Sequence, residues 1–132
     1  PRIFSVAIFD IDHFKVYNDS FGHVAGDEVL QDMGLLLRRI LRPTDFVARY
    51  GGEEFALLLP NTDVSSSIEA AERICNAIAN NRWNLAPITA SFGVATWEGE
   101  GPRVILSRAD TALYASKAAG RNRVTHFSQI SK

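Results

Sequence analysis

Two adjacent carboxylates follow a pair of glycines where only turn residues are expected. Gly51-Gly52-Glu53-Glu54 separates two apolar stretches, residues 45–50 and 55–60. This pattern predicts a β-hairpin whose turn uses the tolerance of glycine for positive φ. Because glycines let phosphates approach the backbone and carboxylates bind cations, the motif indicates a cation and phosphate site. The alternative interpretation is a charged hairpin tip that faces solvent.

The first apolar stretch of the chain also runs into acids. Residues 3–9 contain a single Ser, which predicts a strand buried on both faces, and Asp10-Ile11-Asp12 follows directly. Alternation puts Asp10 and Asp12 on the same side if the chain stays extended. If this strand lies beside the hairpin, Asp10 and Glu53 can share one divalent ion, and hard oxygen ligands favour Mg²⁺ over zinc. The alternative role for Asp10 is a helix N-cap.

Hydrophobic periodicity gives the order of the elements. The pattern predicts a strand at 3–9, a short helix at 12–20 broken at Phe21-Gly22, an amphipathic helix marked by 29–40, a hairpin at 46–60, a helix capped by Ser65, Ser66 or Ser67, a strand at 88–96, a helix at 104–118 and a short strand at 123–127. This order predicts an α/β fold with a mixed central sheet flanked by helices.

Composition favours one domain without nucleic-acid or membrane contacts. The chain has 132 residues and a formal net charge of −1, which gives no basic field for nucleic acid. No apolar run approaches the roughly 18 residues of a membrane span. Cys75, the single cysteine, falls on the apolar phase of its helix, which predicts a packed thiol and fits a reducing cytoplasm. The chain begins abruptly on a strand, which suggests a domain taken from a longer protein.

Five motifs in order resemble one family. They are residues 10–23 (DIDHFKVYNDSFGH), Gly26-Asp27, 49–55 (RYGGEEF), 91–95 (SFGVA) and 108–122 (RADTALYASKAAGRN). The resemblance runs from about residue 4 to residue 124, and on these motifs the chain is identified as a member of the GGDEF family of diguanylate cyclases. The resemblance implies a palm-like fold, shared with adenylyl cyclases, and condensation of two GTP into cyclic di-GMP and two pyrophosphates.

The resemblance also implies roles for the acids. Asp10, the carbonyl of Ile11 and Glu53 would bind Mg²⁺, with Mn²⁺ as a substitute and two ions per active site. Glu53 would in addition act as base or orient the attacking hydroxyl. Glu54 would support the second metal or the ligands of the first; its alternative is a salt bridge at the sheet edge.

Further residues match the substrate-binding positions of the family. Asn18 and Asp27 would read guanine, since an acid that accepts from guanine N1 and N2 is not matched by adenine. His23 also matches a substrate-contact position, with a turn residue as the alternative, and Gly51 and Gly52 complete the substrate-binding set. Lys15, Lys117 and Arg121 would bind phosphate; the alternative for the last two is a solvated helix C-terminus. His13, His126 and the two Trp carry no motif and are expected in packing or surface roles.

A second group resembles the RxxD product-inhibition site of the family. Arg42 and Asp45 lie shortly before Gly51, and Arg73 on the next predicted helix matches an additional arginine of that site. Product binding there would arrest the enzyme. A turn with a local salt bridge is the alternative.

The chain also departs from the family pattern. The sequence lacks the segment Asp-x-Leu-Thr-Gly-Leu-x-Asn-Arg, which precedes the first strand in the family. The stretch from residue 81 to residue 88 is also shorter than in many members, which should shorten a peripheral hairpin. The resemblance also implies one GTP per domain, so catalysis would require a homodimer. The alternative function is a non-catalytic module that binds GTP or cyclic di-GMP. The intact acids favour the cyclase.

Overall fold

A computed structural model describes residues 3–130 and confirms the predicted order of elements. The elements are β1 (Phe4–Ile11), α1 (Phe14–Phe21), α2 (His23–Ile40), β2 (Phe46–Arg49), β3 (Glu54–Pro60), α3 (Val64–Asn80), β4 (Ala90–Thr96), α4 (Pro102–Ala118), β5 (Val124–His126) and a 3₁₀ turn (Phe127–Gln129). Residues 81–89, between α3 and β4, contain no strand. None of the helices in the described part of the chain has the length and apolar character needed to span a bilayer.

The strands form one mixed sheet in the order β2-β3-β1-β4-β5. The central strand β1 is antiparallel to both β3 and β4, whereas β4 and β5 are parallel. The predicted fold class, a mixed sheet flanked by helices, is therefore confirmed.

Alternation along β1 divides the core between the two faces of the sheet. Ala7, Phe9 and Ile11 pack with buried side chains of α2 and α3, and Phe9 stacks on Phe55 of β3 and on Phe92 of β4 at centroid distances of 5.0 and 4.6 Å. On the other face, Val6 and Ile8 pack against Ile105, Ala109 and Leu113 of α4. β1 is thus buried on both sides, as predicted.

The close approach of α4 to β4 depends on Gly93. A Cβ at this residue would lie 2.1 Å from the carbonyl oxygen of Ala109 and 2.2 Å from the backbone nitrogen of Leu113. The absence of a side chain therefore lets the helix backbone rest directly on the strand. The C-terminal end of α4, which carries Lys117, comes close to the end of β1 as a result.

The end of β1 and the start of α2 differ from the sequence pattern. β1 continues through Ile11, so Asp10 lies within a strand and is not a helix N-cap; the cap position of α1 is His13. α2 begins at His23, well before Val29, because Gly22 with φ 91° separates two helices that follow each other directly. Asp27 is consequently inside α2.

The N-cap of α3 is Asp63 and not one of the three serines. The backbone nitrogen of Ser66 donates to Asp63 Oδ1 at 2.8 Å, a bond that holds the pKa of Asp63 below its ordinary value. An aspartate is at least as good an N-cap as serine, and it stands earlier in the chain, so the helix begins before the run of serines.

Cys75 and His126 are buried in the fold. Burial raises the pKa of the Cys75 thiol to about 11, and Asp12 and Glu72 add to this effect. Cys75 is therefore a packed thiol, as predicted.

His13 is exposed, while the indoles of Trp83 and Trp97 each donate to a backbone carbonyl at 2.8 Å.

Candidate active site

The end of β1 and the hairpin between β2 and β3 meet at one edge of the sheet. Asp10 is the register partner of Glu54 on β3 and of Ser91 on β4. The nitrogen of Ile11 donates to the carbonyl of Glu53 at 3.3 Å. The backbone ladder therefore sets the predicted metal ligands Asp10, Ile11 and Glu53 beside one another.

A cavity of about 190 Å³ opens at this edge. It is lined by Asp10, Ile11, Asp12, His13, Phe14, Lys15, Glu53, Lys117 and Arg121. Three of these residues are the predicted metal ligands and three are the predicted phosphate-binding cations. Residues far apart in sequence thus form one small acidic and basic pocket. Glu54 lies next to it and is not part of the lining.

Asp10 fits the coordination of a hard cation. The residue is only 7% exposed, its Oδ2 accepts from Lys117 Nζ, and its Oδ1 is buried without a hydrogen-bond partner in the described chain. Such an acceptor is costly unless a cation or donor satisfies it. Residues 3–130 hold no group of three acidic, His or Cys side chains that could bind a metal alone. A Mg²⁺ here would use two carboxylates, the Ile11 carbonyl and oxygens of water or ligand.

Negative charge accumulates beside this pocket. Burial raises the pKa of Glu54, the charge of Asp10 raises it further, and Lys117 opposes the rise; Asp110 and Glu53 add smaller upward effects. Lys117 forms its ion pair with Asp10, and Glu54 is in none of the ion pairs of residues 3–130. The salt-bridge alternative for Glu54 is therefore not what this conformation shows.

The hairpin turn uses one of its two glycines for unusual backbone geometry. Gly51 has φ 87°, whereas Gly52 is not in the left-handed region. The nitrogen of Tyr50 donates to the carbonyl of Glu54 at 2.6 Å and closes the turn. The prediction of positive φ holds for Gly51 only. Both glycines are exposed and leave their backbone open to a ligand.

The predicted guanine-reading residues lie on α1 and α2. A Cβ on Gly26 would lie 1.7 Å from Asn18 Oδ1, so the amide of Asn18 rests on the bare backbone of α2. Asn18 Oδ1 is buried with no hydrogen-bond partner in residues 3–130. Asp27, adjacent to Gly26, is exposed, and His23 is exposed at the start of α2. Asn18 and Asp27 are thereby close in the fold, and the Asn18 acceptor is left for a donor.

Arg42 and Asp45 form a compact ion pair after α2. Arg42 donates to Asp45 through its backbone nitrogen at 2.9 Å and through Nη2 at 2.8 Å. The Asp45 side chain is 3% exposed against 48% for Arg42, and the hydrogen bond to Asp45 raises the pKa of Arg42. Arg73 lines the same cavity of about 220 Å³. The three predicted inhibitory-site residues are therefore together.

Two residues that the sequence interpretation did not assign hold these pockets in place. Thr62, 3% exposed, accepts from Arg42 Nη2 at 3.0 Å. Asp12 was expected beside Asp10, but β1 ends at Ile11, and the Asp12 carboxylate instead accepts from Thr89, Ser91 and the nitrogen of Asn122 at 2.7, 2.6 and 3.0 Å. For Asp12, the sequence signal was its position two residues after another acid. No feature of the neighbouring sequence indicates a role for Thr62.

Comparison with known proteins agrees with this arrangement. Residues 1–123 match the family model described as diguanylate cyclase, GGDEF domain. The chain is 46% identical over 124 residues to diguanylate cyclase DgcP of Pseudomonas aeruginosa. This alignment covers 90% of the chain and 18% of DgcP. It is 41% identical over 128 residues to the response regulator PleD of Caulobacter vibrioides, covering 91% and 28% of the two chains.

Solved structures show the same fold. The active GGEEF domain of a diguanylate cyclase from Vibrio cholerae superposes with a TM-score of 0.92 at 35% identity, over 98% of this chain and 85% of that one. The GGDEF domain of DgcB from Caulobacter crescentus, in complex with c-di-GMP, gives 0.91 at 39% identity, over 97% and 80%. The chain thus spans less than a third of the length of DgcP and PleD but most of these isolated domains.

Proposed function

The chain belongs to the GGDEF family of diguanylate cyclase domains, and from this we propose that it condenses two GTP molecules into cyclic di-GMP and two pyrophosphates. The observation that carries the proposal is the single pocket that unites two acids of the sheet edge with Lys15, Lys117 and Arg121. In each half of the reaction the 3′-oxygen of one nucleotide bonds to the α-phosphorus of the other. The bond from that phosphorus to the pyrophosphate oxygen breaks.

The acids of the pocket would hold the metal. Asp10, the carbonyl of Ile11 and Glu53 are the ligands for Mg²⁺ or Mn²⁺, two ions per site, and Glu54 supports them from the adjacent register position. When bound, such ions lower the pKa of a coordinated hydroxyl and neutralise charge on the leaving group. Glu53 orients the 3′-hydroxyl and receives its proton. The unsatisfied Oδ1 of Asp10 supports this assignment.

The cations of the pocket would bind the triphosphate. Lys117 is held over the pocket by its ion pair with Asp10, and Lys15 and Arg121 line the same space. Three cations offset the charge of the phosphates and place the α-phosphorus for in-line attack, which is most of what phosphoryl transfer requires from a protein. Gly51 and Gly52 allow the phosphates close to the turn.

Selectivity for guanine would come from α1 and α2. Asp27 accepts from guanine N1 and N2, and the buried Oδ1 of Asn18 is available beside it. Adenine presents a different donor pattern to these acceptors. His23, exposed at the start of α2, would contact the same nucleotide.

Because each domain would bind one GTP, synthesis would need two copies of the domain face to face in the cytoplasm. Cyclic di-GMP would also bind at Arg42, Asp45 and Arg73 and inhibit the reaction. The shared cavity of these three side chains supports this feedback site.

The test is product formation by the concentrated or artificially dimerised chain with GTP and Mg²⁺, followed by chromatography for cyclic di-GMP. Glu53→Gln keeps the size of the side chain and removes a charged ligand, so synthesis should fall by about a hundredfold or more with the fold intact. Turnover at the wild-type rate in that variant would contradict the assignment of Glu53. No product from the dimerised wild type would favour a non-catalytic module, for which binding of cyclic di-GMP is then the measurement.

A further inference from the structure

The loop that carries Arg121 has an unusual backbone. Between α4 and β5, the successive residues Gly120, Arg121 and Asn122 have φ of 125°, 65° and 50°. Glycine adopts this region freely and asparagine tolerates it, but arginine rarely does so. Such a conformation persists where surrounding contacts impose it. The position of Arg121 at the phosphate pocket therefore depends on what holds this loop.

Several hydrogen bonds hold the loop: Asn122 Oδ1 accepts from Cys75 Sγ at 3.7 Å and the carbonyl of Arg121 accepts from Arg123 Nε at 3.1 Å. At the helix end, the nitrogens of Gly120 and Arg121 donate to the carbonyls of Lys117 and Ser116 at 3.3 and 3.0 Å. On the other side, the nitrogen of Asn122 donates to Asp12 Oδ2 at 3.0 Å. This bond to Asp12 is assisted by the charge of the carboxylate, and it ties the loop to the end of β1, where Asp10 and Ile11 lie.

The carboxylate of Asp12 is itself fixed. Thr89 Oγ1 donates to its Oδ2 at 2.7 Å and Ser91 Oγ donates to its Oδ1 at 2.6 Å. Both of its oxygens are thus occupied by donors from the chain, in contrast to Asp10, whose Oδ1 has none in the described chain. Asp12 is suited to hold protein groups in place, whereas Asp10 is suited to bind a cation.

We propose that Asp12 is a positioning residue that fixes the loop at Asn122 and thereby holds Arg121 in the pocket for the phosphates of the bound nucleotide. The proposal rests on the proposed function, because it takes a nucleoside triphosphate as the ligand of that pocket. Asp12 lines the pocket, but both of its carboxylate oxygens already accept from donors of the chain, so it acts on the ligand through Arg121. It joins three parts of the site: the end of β1, the start of β4 and the loop after α4.

The test is nucleotide binding by Asp12→Asn, which keeps the size of the side chain but removes the charge that strengthens the bond to the nitrogen of Asn122 and replaces one accepting oxygen with NH₂. A GTP analogue with a methylene bridge between the α- and β-phosphorus cannot condense, so calorimetry measures binding alone. We expect the analogue to bind about tenfold more weakly to Asp12→Asn, in the range observed when a supporting residue of a site is lost. Guanosine, which lacks phosphates, should bind as it does to the wild type.

Asp63→Asn is the matched control, because Asp63 also accepts from a backbone nitrogen but caps α3 away from the pocket. Asn is as good an N-cap as Asp, so this variant should fold and change neither affinity. If Asp12→Asn does not fold, Ser91→Ala removes one donor that orients Asp12 and should weaken binding of the analogue in the same direction.

A double-mutant cycle separates this role from a general effect on the site. In an Arg121→Ala background, Asp12→Asn should change the affinity for the analogue less than twofold. A further tenfold loss there would mean that Asp12 acts through other groups, and equal affinities of wild type and Asp12→Asn would also overturn the proposal. A wild-type chain that binds neither analogue nor guanosine would overturn the nucleotide site itself, and the role of Asp12 with it.

Discussion

At the scale of single residues, Asp10 and Asp12 show how two identical side chains acquire different roles. Asp10 is inside β1 and keeps a buried oxygen without a partner in the described chain. Asp12 follows the end of the strand and accepts three hydrogen bonds from β4, its preceding segment and the Arg121 loop. The division depends on where β1 ends, which the sequence pattern placed too early.

Asp27→Ala should reduce the preference for GTP over ATP. A hydrogen bond to a charged group contributes about 1.5–3 kcal/mol, so GTP affinity should fall roughly tenfold to a hundredfold. Asp27 is exposed, so the free energy of unfolding should change by less than about 0.5 kcal/mol. Calorimetry with both nucleotides measures the effect, and Asp32→Ala on the same helix is the control. Unchanged GTP affinity would remove Asp27 from the guanine site.

His126 should make the fold less stable in mild acid. Burial lowers the pKa of His126 below its ordinary 6.5, and Glu98 opposes the shift only partly. Ser128 N donates to Nδ1 at 3.0 Å, so Nε2 carries the proton and donates to Thr96 at 2.9 Å. Protonation of Nδ1 would break the bond to Ser128.

The unfolded chain therefore binds a proton near pH 6.5 that the folded chain resists. The free energy of unfolding should fall as pH drops below 6.5, by at most about 1.4 kcal/mol per pH unit, and should level off below the pKa of the folded state. Urea unfolding between pH 7.5 and 5.5 measures this slope. His126→Gln cannot titrate and should flatten it; an identical slope in that variant would assign the effect to other groups.

At the scale of elements, periodicity and turn residues predicted the order of strands and helices and the hairpin. The errors lie where two elements touch. The start of α2 was missed because residues 23–28 carry few apolar side chains, and the Asp63 cap was missed because three serines follow it. The neighbours of β1 in the sheet were not predictable either, since β1 pairs with strands distant in sequence.

Gly93→Ala should strongly destabilise the fold. The added Cβ would meet backbone atoms of Ala109 and Leu113 at 2.1 and 2.2 Å, and backbone cannot rotate away as a side chain can. Moving α4 would disturb the apolar contacts of one whole face of the sheet, so we expect a loss of about 3 kcal/mol or more in urea unfolding. Gly34→Ala is the matched control.

Gly34 lies in α2, and apart from its chain neighbours and the adjacent backbone of its own helix no atom lies within 4 Å of an added Cβ. Gly34→Ala should raise the free energy of unfolding by about 0.5–1 kcal/mol, because alanine has the higher helix propensity. Comparable stabilities of the two variants would show that the contact between α4 and β4 can relax, and would contradict the close approach as the reason for glycine at residue 93.

At the scale of the whole molecule, the two candidate sites lie toward opposite ends of the sheet. Glu54, beside the phosphate pocket, begins β3, and Pro60, whose carbonyl accepts from Arg42 Nη2 at 3.0 Å, ends it. The six residue steps from Glu54 to Pro60 correspond to about 20 Å of extended strand. A ligand held by Arg42 therefore does not reach the reacting phosphates of the same chain. The proposed feedback inhibition would therefore act through the arrangement of two copies of the domain.

Arg42→Ala should accordingly relieve product inhibition while the initial rate, measured before product accumulates, stays near that of the wild type. Cyclic di-GMP should bind at least tenfold more weakly, because a charge-assisted contact is lost. Arg73→Ala should share the effect, since Arg73 lines the same cavity. Arg38→Ala, at an exposed position of α2, is the control and should bind as the wild type does.

One complication is that Arg42→Ala leaves the buried Asp45 carboxylate without its partner, which lowers stability by itself. The double variant Arg42→Ala with Asp45→Ala removes both charges and separates folding from binding: it should recover stability but not affinity for cyclic di-GMP. Calorimetric titration of cyclic di-GMP into the wild type and both variants decides the matter. Equal binding by all three would mean that Arg42 and Asp45 only close the turn between α2 and β2, and that feedback inhibition does not use this cavity.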